Sequence, residues 1–138
     1  MYQKILVPLA LDHGISPQTL AAAQALCAPG GQITALHVYE IPRGTVSTYL
    51  REDAIEFGLD AAKKLLAEKT SGIDGMHAEV IKGHAYRAII EYADNGQFDC
   101  IVIGSHKPGV SDFLMGSTAA KVVRHAACAV HVHRAREA

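Results

Sequence analysis

This sequence is poor in the features that mark nucleic-acid-binding, membrane and secreted proteins. Its formal net charge is −1 over 138 residues, so no excess of lysine and arginine predicts a surface for nucleic acids. No apolar run approaches the length that spans a membrane. The N-terminus also lacks the basic start and long apolar stretch of a signal peptide. We therefore expect a cytoplasmic protein with no membrane segment and no leader.

Cysteine is scarce as well, and its spacing excludes the usual metal and redox motifs. Cys27, Cys100 and Cys128 lie far apart, are odd in number and form no CxxC pair. We interpret them as reduced residues that pack inside a cytoplasmic protein. A redox-sensing role for one of them stays open, although no other feature of the sequence indicates it.

Motifs of familiar catalytic chemistry are absent too. The sequence contains no Gly-x4-Gly-Lys-Ser/Thr loop, no Gly-x-Gly-x-x-Gly turn after its first strand and no Gly-x-Ser-x-Gly elbow. No pair of carboxylates lies near the glycine-rich segment 104–116, in which Asp112 is the sole acidic residue. Such a pair is what would hold a metal ion against a triphosphate. We therefore assign no catalytic residue and expect binding rather than turnover.

What the sequence does contain is a regular alternation of apolar runs and helical periodicity. Hydrophobic residues make up 49% of the chain and charged residues 20%, which is typical of one globular domain over 1–138. Pro29-Gly30-Gly31 is expected to end the first helix before the second strand begins. Helices are predicted to open at 16–17, 51, 85 and 116–118, and strands to cover 4–9, 33–39, 77–81, 100–103 and 129–133.

Strands separated by helices of this length predict a single doubly wound α/β sheet. The strands should be parallel and the crossovers right-handed, because each helix must return the chain to the same end of the sheet. Ligands of such sheets bind beyond the carboxyl ends of the strands, where the strand order reverses. In this chain those ends fall at Pro8 to Asp12, Val38 to Ile41, Gly83 and Gly104 to Gly109.

One of these ends has the pattern of an anion-binding unit. The buried strand Cys100 to Ile103 runs into Gly104 to Gly109, a segment with two glycines and a proline, and then into a helix that opens at Gly116 to Thr118. A strand, a glycine-rich loop and a helix N-terminus surround an anion, most often a phosphate, with unpaired N–H groups. An ordinary connection whose glycines only form turns is the alternative.

The sequence resembles the universal stress proteins of the UspA superfamily, in particular their small single-domain F/G-like branch. The resemblance spans essentially the whole chain and is most specific in its last block. It implies an adenine nucleotide alpha hydrolase-like fold, a five-stranded parallel sheet of order 3-2-1-4-5 with helices on both faces. The matching segments are KILVP (4–8), ALHV (35–38), the Gly83 turn, DCIVIGSHKP (99–108) and LMGSTAAKVVRHAACAV (114–130).

The resemblance also implies a ligand, ATP or else AMP or ADP, with Mg²⁺ accompanying the phosphates. Pro8, Leu9 and Val38 would line the adenine, and Ile103 and Gly104 would lie under the ribose. His106 and Lys107 would lie near the phosphates. The backbone and hydroxyl groups at the helix start would donate hydrogen bonds to the phosphates from Gly116, Ser117 and Thr118.

Two positions depart from the nucleotide-binding residues of the family, and the first lies in its pattern Gly-x2-Gly-x9-Gly-Ser/Thr. Lys107 replaces the second glycine in a loop one residue shorter, so Gly109 would supply the flexibility, as the F/G-like branch tolerates. Ala10 stands where many relatives have an aspartate. Either Asp12 reaches the nucleotide in its place, or that contact is absent and affinity is roughly tenfold to a hundredfold lower.

Histidines supply a further candidate site. His131 and His133 alternate with two valines, so both imidazoles point to one side of the last strand. They could bind a metal, particularly if a two-fold partner adds a second pair, but a polar, partly solvated edge strand is the favoured explanation and we assign no metal. His37 is interpreted as a structural residue beside the adenine wall.

These features together predict a cytoplasmic ATP-binding universal stress protein that acts as a regulator or sensor of the stress response. A dimeric interaction module without a nucleotide is the alternative from another class. A slow ATPase that depends on a partner is the enzymatic alternative. An unpaired edge invites a homodimer through 129–133, with a tetramer as a further option, and no nucleic-acid or membrane partner is expected.

Overall fold

The computed structural model describes residues 1–11, 17–41, 48–104 and 116–134. Strands and helices alternate throughout these residues, as the sequence pattern predicts. None of the described helices combines the length and the apolar character needed to span a bilayer. In chain order the elements are β1 (Tyr2–Pro8), α1 (Pro17–Leu26), β2 (Cys27–Tyr39), α2 (Thr48–Thr70), β3 (Met76–Lys82), α3 (Ala85–Asn95), β4 (Cys100–Gly104), α4 (Ser117–His125) and β5 (Ala129–His133).

The five strands form one parallel sheet in the order β3-β2-β1-β4-β5. Ile5 at the centre of β1 is level with Ile33 on one side and with Cys100 on the other. The chain leaves β1 toward β2 and leaves β4 toward β5, so the strand order reverses between β1 and β4. The fold class and the order 3-2-1-4-5 predicted from the sequence are therefore confirmed.

Helices cover both faces of this sheet, which explains why the central strands are apolar without interruption. Leu6 and Ile101 point to the face covered by α3 and α4, while Ile5 and Val102 point to the face covered by α1. All four are fully buried. Burying each such side chain contributes about 1.5–3 kcal/mol, and helices on both faces favour apolar side chains at Ile5 to Val7 and at Cys100 to Ile103.

The start of β2 is where the predicted elements were wrong. The strand begins at Cys27, and it includes Pro29-Gly30-Gly31, which we expected to separate helix from strand. Its first residue, Cys27, pairs with Tyr2, and a bulge then shifts the register before Lys4 pairs with Gln32. Gly30 takes a left-handed conformation at φ 78° in this bulge. Glycine suits that backbone, so its presence marks an irregularity within a strand and not the end of pairing.

The remaining element bounds agree closely with the prediction. The largest other difference is α2, which begins at Thr48 and so includes the last residues of the connection predicted for 41–49.

All three cysteines are free, and Cys100 is fully buried beneath the helices that cover the sheet. Burial raises the pKa of the Cys100 thiol to about 11, which keeps it protonated and unreactive.

Candidate functional site

A cavity of about 960 Å³ lies over the carboxyl ends of β1, β2 and β4. The reversal of strand order opens it, because the connections after β1 and β4 leave in opposite directions. Apolar side chains of Leu36, Val38, Ile89 and Ile103 form part of its wall, and the first residues of α4 form another part. Its volume lies in the range of small-molecule sites, near the upper end.

Most of the predicted site residues line this single cavity. The exceptions are Asp12, His106, Lys107 and Gly109, which lie outside the described residues. The structure therefore brings together four separate segments of the chain. The predicted residues in the cavity wall are Pro8, Leu9, Ala10, Val38, Ile103, Gly104, Gly116, Ser117 and Thr118.

The segment that follows β1 is held at the cavity by backbone pairing with β2. The N–H group of Leu9 donates a hydrogen bond to the carbonyl oxygen of Leu36 at 2.8 Å, so pairing continues one residue past Pro8. Pro8 has no N–H group to donate, which suits it to the end of a strand. Ala10 follows as an exposed residue at the rim of the cavity.

The N-terminus of α4 opens into the same cavity. Gly116 is its N-cap residue, and its carbonyl oxygen accepts the first helical hydrogen bond from the N–H of Ala120 at 2.9 Å. No side chain among the described residues caps this end, and the N–H groups of Ser117 and Thr118 point out of the helix without an intrahelical acceptor. These N–H groups and the positive end of the helix dipole favour an anion at this wall.

The two glycines of the predicted phosphate cradle differ in how the protein surrounds them. A Cβ atom at Gly116 would meet no atom within 4 Å, so the described residues leave this space open. A Cβ atom at Gly104 would lie 3.4 Å from the hydroxyl oxygen of Thr19, an ordinary contact. Packing among the described residues therefore does not require glycine at either position, whereas close approach of a ligand would.

His37 is a cavity residue that sequence reasoning interpreted as purely structural. Its Nδ1 atom lies 2.8 Å from the carbonyl oxygen of Leu9, and because a carbonyl only accepts, Nδ1 carries the proton of this bond. The side chain thus fastens β2 to the segment after β1 while lining the cavity. No local pattern could have revealed this contact, since the partners are 28 residues apart.

Glu40 is the second cavity residue that the sequence did not single out. Its carboxylate accepts a hydrogen bond of 3.0 Å from the backbone N–H of Ala85, the first residue of α3. A negative charge at a helix N-terminus is stabilising, so Glu40 anchors the start of α3 beside the cavity. The Nδ1 atom of His84 lies 3.7 Å from the same oxygen, although both side chains are largely exposed. Glu40 and Ala85 both line the cavity.

This arrangement suits a ligand with one flat or apolar part and one anionic part. Side chains of β2, β4 and α3 offer the apolar surface, and the uncapped start of α4 offers hydrogen-bond donors. Among the described residues of the wall, Glu40 is the charged one and its oxygen is already bonded to Ala85. The described wall therefore supplies shape and donors, and no second carboxylate to hold a metal ion.

Comparisons with known proteins agree with this architecture. The model of the Universal stress protein family matches residues 1–134. Universal stress protein A homolog 2 from Coxiella burnetii is 33% identical over 135 residues, which cover 94% of this chain and 92% of the relative.

Solved structures share the fold at lower sequence identity. The structure of the hypothetical protein MJ0577 superposes with a TM-score of 0.83 at 20% identity and covers 100% of this chain and 99% of its own. The universal stress protein from Archaeoglobus fulgidus in complex with dAMP reaches a TM-score of 0.53 at 20% identity, covering 95% of this chain and 97% of its own. A universal stress protein in complex with cAMP reaches 0.54 at 20% identity, covering 96% and 97%.

The match to the family model extends over nearly the whole chain, and the Coxiella relative exceeds 30% identity over almost its full length. The sheet order and the position of the cavity agree with the fold that the resemblance implied. On these grounds the chain belongs to the universal stress protein family.

Proposed function

We propose that this universal stress protein binds an adenine nucleotide, ATP in the first place, as a regulatory ligand in the cytoplasm. The observation that carries the proposal is the N-terminus of α4 at one wall of the cavity, where no described side chain caps the helix, facing the carboxyl ends of β1 and β2. A phosphate group at Ser117 and Thr118 would occupy the anion-binding end of that helix. A base would then lie against the apolar wall.

The shape of the apolar wall supports a planar group beside β2. Val38 and Leu36 belong to the same side of β2, and both pack with the core beneath α3 and α4. Pro8 and Leu9 continue this wall at the end of β1. Together these side chains offer flat apolar surface of the kind that accepts an aromatic ring, with backbone groups at its rim for orientation.

The comparisons support the same class of ligand. Structures of this fold were solved with dAMP and with cAMP, both of which combine adenine with a phosphate. Mg²⁺ would accompany ATP chiefly through the phosphates and water, which is its usual mode at nucleotides. The described wall agrees with Mg²⁺ held in this way, because its carboxylate, that of Glu40, already accepts a hydrogen bond from the backbone N–H of Ala85.

Displacement of a fluorescent ATP analogue from the purified protein tests this proposal. Addition of unlabelled ATP with magnesium should return the fluorescence to that of the free analogue. Absence of displaceable binding at millimolar ATP would contradict the proposal. Mass spectrometry of gently denatured protein adds a second readout, because a co-purified adenine nucleotide is expected only if the cavity holds one in the cell.

The alternative without a nucleotide is a dimeric stress-response interaction module. Ala10 favours it, because an exposed methyl group at the cavity rim cannot supply the carboxylate that the resemblance leads us to expect at this position. A slow, partner-dependent ATPase is the enzymatic alternative. It predicts phosphate release that falls when Ser117 is changed to alanine, and unchanged release would identify a contaminating enzyme.

Homodimerisation through β5 is part of the proposal. Among the described residues β5 is an edge strand that pairs with β4 alone, and its Val130 and Val132 are only partly buried on the core beneath α3 and α4. An edge with free backbone groups and apolar side chains is a template for pairing with a second copy. Light scattering at micromolar concentration should give the mass of a dimer, or of a tetramer built from dimers. A monomer mass alone would contradict this part.

A further inference from the structure

β5 carries two histidine side chains next to each other on the free edge of the sheet. The ring centroids of His131 and His133 lie 6.1 Å apart with an interplanar angle of 23°. The two rings point to the face opposite Val130 and Val132, which pack toward the core. His131 is exposed and His133 is half-buried, so both imidazoles are accessible at the edge.

One chain by itself supplies too few ligands for a firm metal site here. Within 1–11, 17–41, 48–104 and 116–134, no group of three or more histidine, cysteine, aspartate or glutamate side chains could hold a metal ion. Structural zinc sites take four ligands in tetrahedral geometry. The pair on β5 is therefore half of such a set, and a second copy of the chain would supply the other half.

Antiparallel pairing of two β5 edges would bring the four imidazoles to one face. In a two-fold register centred on Val132, His131 stands directly opposite the second copy's His133. Opposite Cβ atoms lie about 4.5–5.5 Å apart across such a pair, and residues two apart along a strand lie about 6.6–6.8 Å apart. The four Cβ atoms would then form a small rectangle with every imidazole on the same side of the joined sheet.

We infer that this edge is a metal site shared by two copies of the chain, with four imidazoles of His131 and His133 around one divalent transition-metal ion. Neutral imidazole suits Zn²⁺, Cu²⁺ and Ni²⁺, and Zn²⁺ accepts the tetrahedral set without a preference from its d electrons. The ion would select the register centred on Val132, because a shift of the pairing separates the four rings. The inference rests on the proposed β5 homodimer and does not depend on the nucleotide.

Native mass spectrometry and calorimetric titration with ZnCl₂ test the site on the full-length, metal-stripped and reduced protein. The expected species is a dimer that retains one Zn²⁺ ion per two chains. The double variant His131→Gln/His133→Gln should weaken Zn²⁺ binding by more than about tenfold, because the proposed site then has no imidazole ligand.

This variant keeps all three cysteines, so it separates imidazole binding from thiolate binding. His77→Gln, an exposed histidine on β3 at the opposite edge, is the matched control and should bind as the original protein does.

Each alternative outcome has a defined meaning. Equal Zn²⁺ binding by the double variant, or one ion on each monomer, would overturn the inference. A dimer whose stability and Zn²⁺ content do not change with added metal would overturn the metal site but not the proposed dimer. A monomer in the presence of Zn²⁺ would overturn both. Thermal unfolding of each variant by circular dichroism checks the fold, and the single variants His131→Gln and His133→Gln should each bind more weakly than the original.

Discussion

The Nδ1 atom of His37 donates a hydrogen bond of 2.8 Å to the carbonyl oxygen of Leu9. This bond joins the middle strand of one half of the sheet to the chain segment that forms the rim of the cavity. The N–H of Leu9 also donates a hydrogen bond to the carbonyl oxygen of Leu36, so both backbone polar groups of Leu9 are hydrogen-bonded to β2. The rim is thereby positioned before any ligand arrives.

Replacing His37 by leucine should loosen the rim. The change leaves the partly buried carbonyl of Leu9 without its donor, so the free energy of unfolding should fall by about 1–2 kcal/mol. Nucleotide affinity should fall as well, because Leu9 and Ala10 lose a fixed position. Urea unfolding and titration with the fluorescent ATP analogue measure the two effects. His77→Leu, at an exposed residue of β3, should change neither quantity by much, and equal effects in both variants would contradict a specific role for His37.

Replacing Gly116 by valine should block the anion-binding end of α4. The new side chain enters space that the described residues leave open, so the stability cost expected from them is that of the helix cap, about 1 kcal/mol or less. Nucleotide affinity should drop by more than about tenfold, since the valine occupies the place proposed for a phosphate. Ala120→Val, an exposed residue of the same helix turn, is the control for helix propensity. Retained binding in Gly116→Val would exclude a phosphate at this position.

Asp99 should make the stability of the sheet depend on acidity. Its carboxylate accepts hydrogen bonds from the backbone N–H groups of Gln3 and Lys4, both at 2.9 Å. Partial burial alone would raise the pKa of Asp99, but these donors outweigh it and the pKa lies below its ordinary value. A lowered pKa means that the stabilisation is complete above the unfolded pKa, near 4, and is lost as the pH falls through the folded pKa.

The variant Asp99→Asn checks this dependence. At neutral pH it should be less stable than the original by about 0.5–1 kcal/mol, a small value because the carboxylate is exposed and screened. The difference should shrink as the pH falls below about 4, where the aspartate itself becomes protonated. Denaturant unfolding at a series of pH values measures it. A difference independent of pH would mean that hydrogen-bond geometry, and not the charge, stabilises the link between β1 and β4.

Cys100 should be the least reactive of the three thiols. It is fully buried, and burial raises its pKa to about 11, with a smaller contribution from the neighbouring Cys128. Because the thiolate is the reactive form, Cys100 should not react with a thiol reagent until the protein unfolds. The half-buried Cys27 and Cys128 should react earlier. Reaction with a chromogenic disulfide before and after addition of guanidinium gives the number of reactive thiols in the folded and unfolded protein. If Cys100→Ala shows the same number of reactive thiols in the folded state as the original protein, Cys100 is the unreactive thiol.

The architecture could be predicted because its signal is local. Continuous apolar runs such as Ile5 to Val7 indicate strands covered on both faces, and helices of sufficient length between them require parallel pairing. The start of β2 could not be predicted in this way. Gly30 and its neighbours interrupt the apolar pattern, yet Cys27 still pairs with Tyr2 because the bulge absorbs the extra residues.

The candidate site was predictable only in part. Glycine and hydroxyl residues at the start of α4 have a recognisable order, so Gly116, Ser117 and Thr118 could be proposed from the sequence. His37 and Glu40 could not, because each contacts a backbone group that is 28 or 45 residues distant along the chain. The residues proposed to contact the ligand stay a prediction until binding is measured.

By itself the sequence determined the elements, their parallel pairing and the family, because these depend on periodicity and on local order of residue types. Only the tertiary structure decided which side chains share a cavity and how its rim is held. Those contacts arise where the strand order reverses and brings the ends of β1, β2 and β4 together. The separation of these residues along the chain does not indicate that they are close in space, because the packing of whole helices on the sheet brings them together.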